Sequence, residues 1–201
     1  MEETFTEVYE KKIWGSNDNT EYNGSSGDGS RIYFNKDTYV IFIKKFINDN
    51  NIKNVVDLGC GDFLCGDLIY DDLNVEYTGY DTYKKIVNYN NKKYENDYSI
   101  NFKHLDFYTY RDQIKSADLC IIKDVIQHWK LEEIYTFLDY IVASKKFKYI
   151  LICNCCYQQS DNTNIETGGW RPLSCDFFPL KKYNAIKKYN YISKEVSVIY
   201  L

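Results

Sequence analysis

Arginine, proline and histidine are scarce in this chain: three, two and two residues among 201. The three arginines are Arg31, Arg111 and Arg171, and the formal net charge is −4. Proteins that hold nucleic acid carry a basic face, because phosphate contacts dominate that affinity. A nucleic-acid partner is therefore disfavoured. The pairs Lys181-Lys182 and Lys187-Lys188 read as solvated faces. No run approaches 18 apolar residues, so no membrane span is expected. The start, Met1-Glu2-Glu3-Thr4, is acidic and lacks the apolar core of a secretory signal. The expected location is the cytoplasm, or a host's cytoplasm if the source is viral. Seven cysteines are an odd number, and several fall in apolar strands. Free thiols in a reducing compartment fit better than disulfides. Cys153, Cys155 and Cys156 lack the two separated pairs that a structural metal site uses, and no metal is expected. Alanine is also scarce while Lys, Asn, Ile and Tyr abound, a bias typical of an AT-rich genome.

Apolar residues make up 44% of the chain and aromatics 17%. That composition belongs to one folded domain with a real core. The most informative stretch is Val55-Val56-Asp57-Leu58-Gly59-Cys60-Gly61-Asp62-Phe63. It reads as a buried parallel strand running into a glycine turn and then a helix. Gly59 and Gly61 allow a tight turn and a close approach to the backbone. Tyr77-Thr78-Gly79-Tyr80 is the next strand, and Asp81 ends it. An acidic residue at this distance takes ribose hydroxyls in nucleotide-binding α/β folds. The third glycine of the dinucleotide fingerprint is missing. The carboxylate of Asp62 at the turn would repel a pyrophosphate but accept hydrogen bonds from an ammonium group.

The pattern D-x-G-x-G-D at Asp57, Gly59, Gly61 and Asp62 resembles motif I of the class I S-adenosylmethionine-dependent methyltransferases. The resemblance continues at family intervals over residues 38–201. Ser99 to Phe107 is similar to the third strand, where Asp106 or Phe107 would hold the adenine amino group. Ala117 to His128 is similar to motif IV, with Lys123 and Asp124 at the strand end. Tyr149 to Asn154 is similar to the fifth strand. Tyr183 to Tyr191 and Glu195 to Leu201 are similar to the closing pair. The implied fold is α/β: a doubly wound, mostly parallel seven-stranded sheet with an antiparallel last strand and helices on both faces. The implied cofactor is S-adenosyl-L-methionine, held by Asp57, Gly59, Cys60, Gly61, Asp81, Thr82, Asp106, Phe107 and Lys123.

Apolar residues at helical spacing predict helices over 36–50, 81–96 and 131–144, the last with a stripe of Ile134, Phe137, Leu138 and Ile141. Two segments stand outside the alternation. Residues 14–31 combine four glycines and four serines with Trp14, Tyr22 and Arg31, and this predicts a lid over the cofactor cleft rather than a linker. The division is therefore 1–37 as a lid or cap and 38–201 as the cofactor-binding domain. The W-G…Y-N-G-S-S-G-D-G-S run also resembles a segment of a methyltransferase subgroup linked to polysaccharide or small-molecule tailoring. Residues 154–179 form a long connection, and loops of that length are commonly functional. In it, Asn154, Trp170 and Arg171 are the candidate acceptor-binding residues.

Methyl transfer to oxygen needs alignment, exclusion of water and a base. Of the two histidines, His104 lies in a predicted strand and reads as structural. His128 follows the fourth strand at the mouth of the cleft and is the first candidate base. Asp124 is the second. A magnesium-assisted route through Asp124 and Asn154 lacks a second aspartate, since Cys153 precedes Asn154. These readings converge on a methyltransferase that acts on a hydroxyl of a sugar or other small metabolite. The alternatives are methylation of a protein or RNA, or a non-catalytic cofactor-binding partner protein.

Overall fold

A computed structural model describes residues 1–201. The chain begins with α1 (Glu2–Glu10), an irregular stretch, and the single turn α2 (Ile32–Asn35). The regular alternation then runs α3 (Tyr39–Asp49), β1 (Asn54–Leu58), α4 (Gly66–Tyr70), β2 (Glu76–Asp81), α5 (Lys84–Lys93) and β3 (Ile100–His104). It continues with β4 (Ala117–Lys123), α6 (Leu131–Ser144) and β5 (Phe147–Cys155), and closes with β6 (Ile186–Tyr191) and β7 (Lys194–Tyr200).

All seven strands form one sheet in the order β3-β2-β1-β4-β5-β7-β6. The first five strands are parallel, and β7 lies antiparallel between β5 and β6. The expected α/β architecture is the observed one. Successive strand residues face opposite sides, as the pleat requires. Val55, Leu119, Ile121 and Leu151 enter one core cluster with α3 and α5. Their neighbours Val56, Cys120, Ile122 and Ile150 enter the other cluster with α6. Two buried faces explain the nearly continuous apolar runs of β4 and β5.

α6 occupies the span predicted for it. Its start is held by Glu133, whose carboxylate accepts the Lys130 backbone N–H at 2.8 Å. Its end is the left-handed Lys145, at φ 48°. Ile134, Phe137, Leu138 and Ile141 are all fully buried. The helix expected from Asp81 starts later, at Lys84. Asp81 remains in β2, and its carboxylate accepts the Tyr83 N–H at 2.9 Å, which spends the local polar groups on a turn. The helix expected directly after the glycine turn is short and waits until Gly66.

Strand order reverses between β1 and β4, since the chain proceeds from β1 outward through β2 and β3 and then returns. Ligands in open α/β sheets lie beyond the carboxyl ends of strands at such a point. All seven cysteines are free thiols. No helix is long and apolar enough to cross a membrane.

Phe137 packs against Trp129 and Phe107 beneath this crevice. Phe137→Ala is expected to destabilise the fold by about 3–5 kcal/mol, through lost burial plus a residual cavity. Urea denaturation followed by circular dichroism measures it, and a loss below about 1 kcal/mol would contradict the packing described.

Candidate active site

The carboxyl ends of β1, β2 and β4 open into a cavity of about 150 Å³. The glycine turn after β1 forms its floor. Gly59 has φ 84° and Gly61 φ 54°, left-handed values that a side chain resists. The Gly59 and Cys60 N–H groups both donate to the Tyr80 carbonyl, at 2.8 and 3.1 Å. This binds the turn to the end of β2. A Cβ on Gly59 would lie 2.4 Å from Val125, and one on Gly61 would lie 2.4 Å from the Ser26 hydroxyl. The close approach at Gly61 is therefore made by the N-terminal segment, a partner that the motif alone did not reveal.

Acidic groups line the cavity at intervals. Asp57 accepts the Tyr77 hydroxyl at 2.8 Å, and burial pushes its carboxyl up to about 6. Asp62 accepts the Ser26 N–H at 3.3 Å and the Ser30 hydroxyl at 3.5 Å, and burial raises it too. Asp81 accepts the Gly61 and Tyr83 N–H groups, each at 2.9 Å. Burial raises Asp81 against those two bonds. Each of its oxygens keeps a further lone pair for a ligand hydroxyl. Thr82 lies beside it, and the Thr82 carbonyl is 3.0 Å from His104 Nε2. His104 thus stays at the end of β3 in a supporting role. Asp106 and Phe107 line the far end. Burial would raise Asp106, but the Thr109 N–H and hydroxyl at 3.1 and 2.9 Å hold it below the usual range.

Lys123 and Asp124 close the cavity on the β4 side. The Lys123 ammonium donates to Asp124 at 2.7 Å and to the Gly29 carbonyl at 2.7 Å. Lys194 forms the second ion pair to Asp124. Burial acts to raise the Asp124 carboxyl, but the two ammonium groups outweigh it and hold it at about 2. Burial likewise opposes the charge on Lys123, and Asp124 holds it well above its ordinary value.

The N-terminal segment supplies the remaining wall. Phe5, Tyr9, Trp14, Ser26 and Ser30 reach the cavity. Tyr9 stacks on Tyr83 with centroids 4.5 Å apart, and its hydroxyl is 2.9 Å from that of Ser26. The Asp62 N–H donates to the same Ser26 hydroxyl at 2.9 Å.

A second, outer cavity of about 310 Å³ adjoins the first and shares Trp14, Ser26, Asp124 and His128 with it. Ile13, Cys155, Lys194 and Trp170 complete much of its wall. His128 stands at the junction, with its ring 4.7 Å from that of Trp14 and its Nδ1 2.6 Å from the Gly169 carbonyl. Burial pulls its pKa below that of a free imidazole.

The Arg171 N–H donates to the Gln127 carbonyl at 3.1 Å, and the Gly168 N–H donates to the His128 carbonyl at 2.8 Å. This short pairing turns Trp170 outward, 56% exposed, and Arg171 inward. The Arg171 guanidinium donates to the Trp129 carbonyl at 2.7 Å and lines neither cavity. Asn154 is also buried away from both cavities. Of the acceptor-binding candidates, only Trp170 reaches the cleft. Tyr9, Ser26 and Gln127 were missed in the sequence. Tyr9 lies in a helix that its local pattern did not announce, and the other two are common polar residues with no spacing signal.

The inner cavity suits S-adenosylmethionine by its donor set. It sets buried carboxylates where a cationic amino-acid end, ribose hydroxyls and an adenine amine can donate. Burial has raised Asp57, Asp62 and Asp81, so a cation entering among them would relieve an existing electrostatic cost.

No family model and no curated protein matches the sequence. Solved structures do. An O-methyltransferase family protein from Burkholderia thailandensis superposes with a TM-score of 0.62 at 12% identity, over 84% of this chain and 56% of that one. The N-methyltransferase NodS from Bradyrhizobium japonicum WM9, in complex with S-adenosyl-L-homocysteine, gives 0.63 at 10% identity over 98% and 97%. The methyltransferase domain of bacterial CtHen1-C gives 0.63 at 14% identity over 81% and 96%. This chain has a methyltransferase fold. It spans a little over half the length of the O-methyltransferase family protein.

The raised Asp57 carboxyl has a measurable sign. Its folded pKa of about 6 lies above the ordinary 3.8, so ionising it costs the fold. Its contribution is most favourable below the unfolded value and is lost as pH rises through about 6. Asp57→Asn is expected to raise the melting temperature by a few degrees at about pH 7.5 and to change little at about pH 4. It should at the same time weaken binding of S-adenosylmethionine. A lower melting temperature at neutral pH would contradict the assignment.

Proposed function

We propose that this chain is an S-adenosylmethionine-dependent methyltransferase that modifies a hydroxyl group of a sugar or another small ring-bearing metabolite. The observation that carries the reading is the acid-lined inner cavity meeting an outer, indole-walled cavity at one neutral imidazole, His128. Asp57 and Asp62 would receive the amino-acid end at the glycine turn. Asp81 would accept the ribose hydroxyls, and Asp106 with Phe107 would hold the adenine. Bound S-adenosylmethionine would supply a methyl carbon whose bond to sulfur breaks, the electron pair staying on sulfur, as the acceptor oxygen forms the new C–O bond.

The protein's own part is to orient, to exclude water and to move one proton. His128 is the proposed base and would take the hydroxyl proton. Asp124 is a poor base, because its oxygens are engaged by two lysines and its carboxyl is held at about 2. It would instead fix the geometry of the strand end. The Trp14 and Trp170 indoles offer flat apolar faces to a sugar or aromatic ring. A low-charge acceptor suits this mouth, where Asp28 and Asp124 offset Lys194. The acidic balance of the chain argues against nucleic acid. Residues 1–37 are proposed as the cap that closes the site, because seven of them line the cofactor cavity.

Calorimetry with S-adenosylhomocysteine tests the cofactor site. Asp81→Asn should weaken binding about 10- to 100-fold, the worth of one or two charge-assisted hydrogen bonds. Unchanged affinity would remove Asp81 from the site. Once a sugar or phenol acceptor is found by screening, His128→Ala should lower turnover by roughly 10²–10⁴ with cofactor affinity nearly intact. Wild-type turnover would end the role of His128 as base. Hydrogen exchange should slow across residues 14–31 when S-adenosylhomocysteine is added. Equal exchange with and without it would remove the cap.

A further inference from the structure

Gln127 is buried beside His128 and has no place in the reaction as described so far. Its side-chain amide is oriented by the backbone of β5. The Cys155 N–H, at the end of β5, donates to Gln127 Oε1 at 3.0 Å. A backbone N–H can only donate, so the oxygen of the amide must face Cys155. The amide NH₂ is thereby left facing His128, with Gln127 Nε2 3.3 Å from His128 Nε2. An amide NH₂ can only donate, so the facing imidazole nitrogen must accept. At the opposite edge of the ring, Nδ1 lies 2.6 Å from the Gly169 carbonyl, which can only accept. The two contacts come from different elements and demand the same tautomer, with hydrogen on Nδ1 and a lone pair on Nε2.

We propose that Gln127 is a positioning residue that fixes His128 in this tautomer and reserves its Nε2 lone pair for the proton of the acceptor hydroxyl. The inference rests on the methyltransferase reading of the site. At 3.3 Å the Gln127 contact is longer than a normal N–H donor distance, and a substrate hydroxyl donating at ordinary length would replace it. On proton transfer, hydrogen moves from the acceptor oxygen to Nε2, and the imidazole becomes imidazolium. Gln127 would then face it with N–H against N–H. That repulsion favours loss of the proton to solvent and restores the base.

The charged groups around the ring are few. Asp124 favours the imidazolium, and Lys194 opposes it. Asp28 lies further along the outer cavity wall, and Trp14 covers one face of the ring. The tautomer is set by Gln127 and Gly169.

The chain contains only two histidines, so their imidazole nitrogens are separable by long-range ¹H–¹⁵N correlation spectroscopy, with His104→Asn to assign them. In the wild-type protein at neutral pH, His128 should show a protonated Nδ1 and a bare Nε2, and it should titrate below a free imidazole. Gln127→Glu keeps an acceptor for the Cys155 N–H but turns an acceptor toward Nε2. It should raise the His128 midpoint by roughly one unit or more. Methyl transfer should then fade at correspondingly higher pH, with S-adenosylhomocysteine affinity unchanged. A wild-type His128 protonated on Nε2 overturns the proposal, and so does an unaltered titration in folded Gln127→Glu protein. If that variant fails to fold, Gln127→Met, which removes the donor facing Nε2, decides: a His128 midpoint equal to wild type overturns the role of Gln127. Failure to bind S-adenosylhomocysteine would remove the methyltransferase reading while leaving the spectroscopic result intact.

Discussion

The Asp124 carboxylate, clamped between the ammonium groups of Lys123 and Lys194, joins three parts of the chain that are far apart in sequence. Lys123 ends β4, Lys194 begins β7, and Lys123 also reaches the Gly29 carbonyl in the N-terminal segment. Asp124 itself is left-handed at φ 58°, a conformation costly for an aspartate. Its N–H donates to the Cys153 carbonyl at 2.8 Å, so β4 stays paired with β5 up to the turn. Removing one member of such a buried group leaves the others uncompensated. The ion cluster thus determines where β4 stops, how the N-terminal segment lies across the cleft, and where the wall between the two cavities runs.

That arrangement separates charge along the site. Lys123 and Lys194 stand at the β4 and β7 ends and are matched by Asp124. The glycine turn and the ends of β1 and β2 keep carboxylates with no comparable partner. Lys123 is the lysine that moderates Asp57, and burial still raises that carboxyl. An acid-rich floor of this kind suits a cationic ligand and repels a pyrophosphate. His128, one short turn beyond Asp124, is pushed toward its neutral form because burial outweighs the Gly169 carbonyl and Asp124.

Much of the fold was readable from local pattern. The β-branched run of β1, the apolar stretches of β4 and β5, and the stripe of α6 each follow from periodicity and burial on both faces of a parallel sheet. The strand-end residues of the inner cavity were readable too. Asp57, Gly59, Gly61, Asp81, Asp106 and Lys123 all sit at strand ends, and a parallel sheet brings strand ends together whatever the loops do. α1 was not legible, since its nine residues carry mixed polarity and mean little without the surface they cover.

The loop candidates show where local reading stops. Trp170 and Arg171 are adjacent in sequence, yet one lines the outer cavity and the other turns into the protein. The backbone pairing of residues 168–171 with 127–128 decides between them, and no spacing rule encodes it. The roles of Ser26, Lys194 and Gln127 likewise depend on contacts across the fold: to Asp62, to Asp124 and to the Cys155 N–H. Periodic burial specifies strands, helices and the crevice between them because those preferences are local and repeat along the chain. Which side chain enters the crevice, which nitrogen of His128 carries the proton and which carboxylates lack a counter-charge are set by single long-range contacts. Those contacts exist only once the chain has closed on itself.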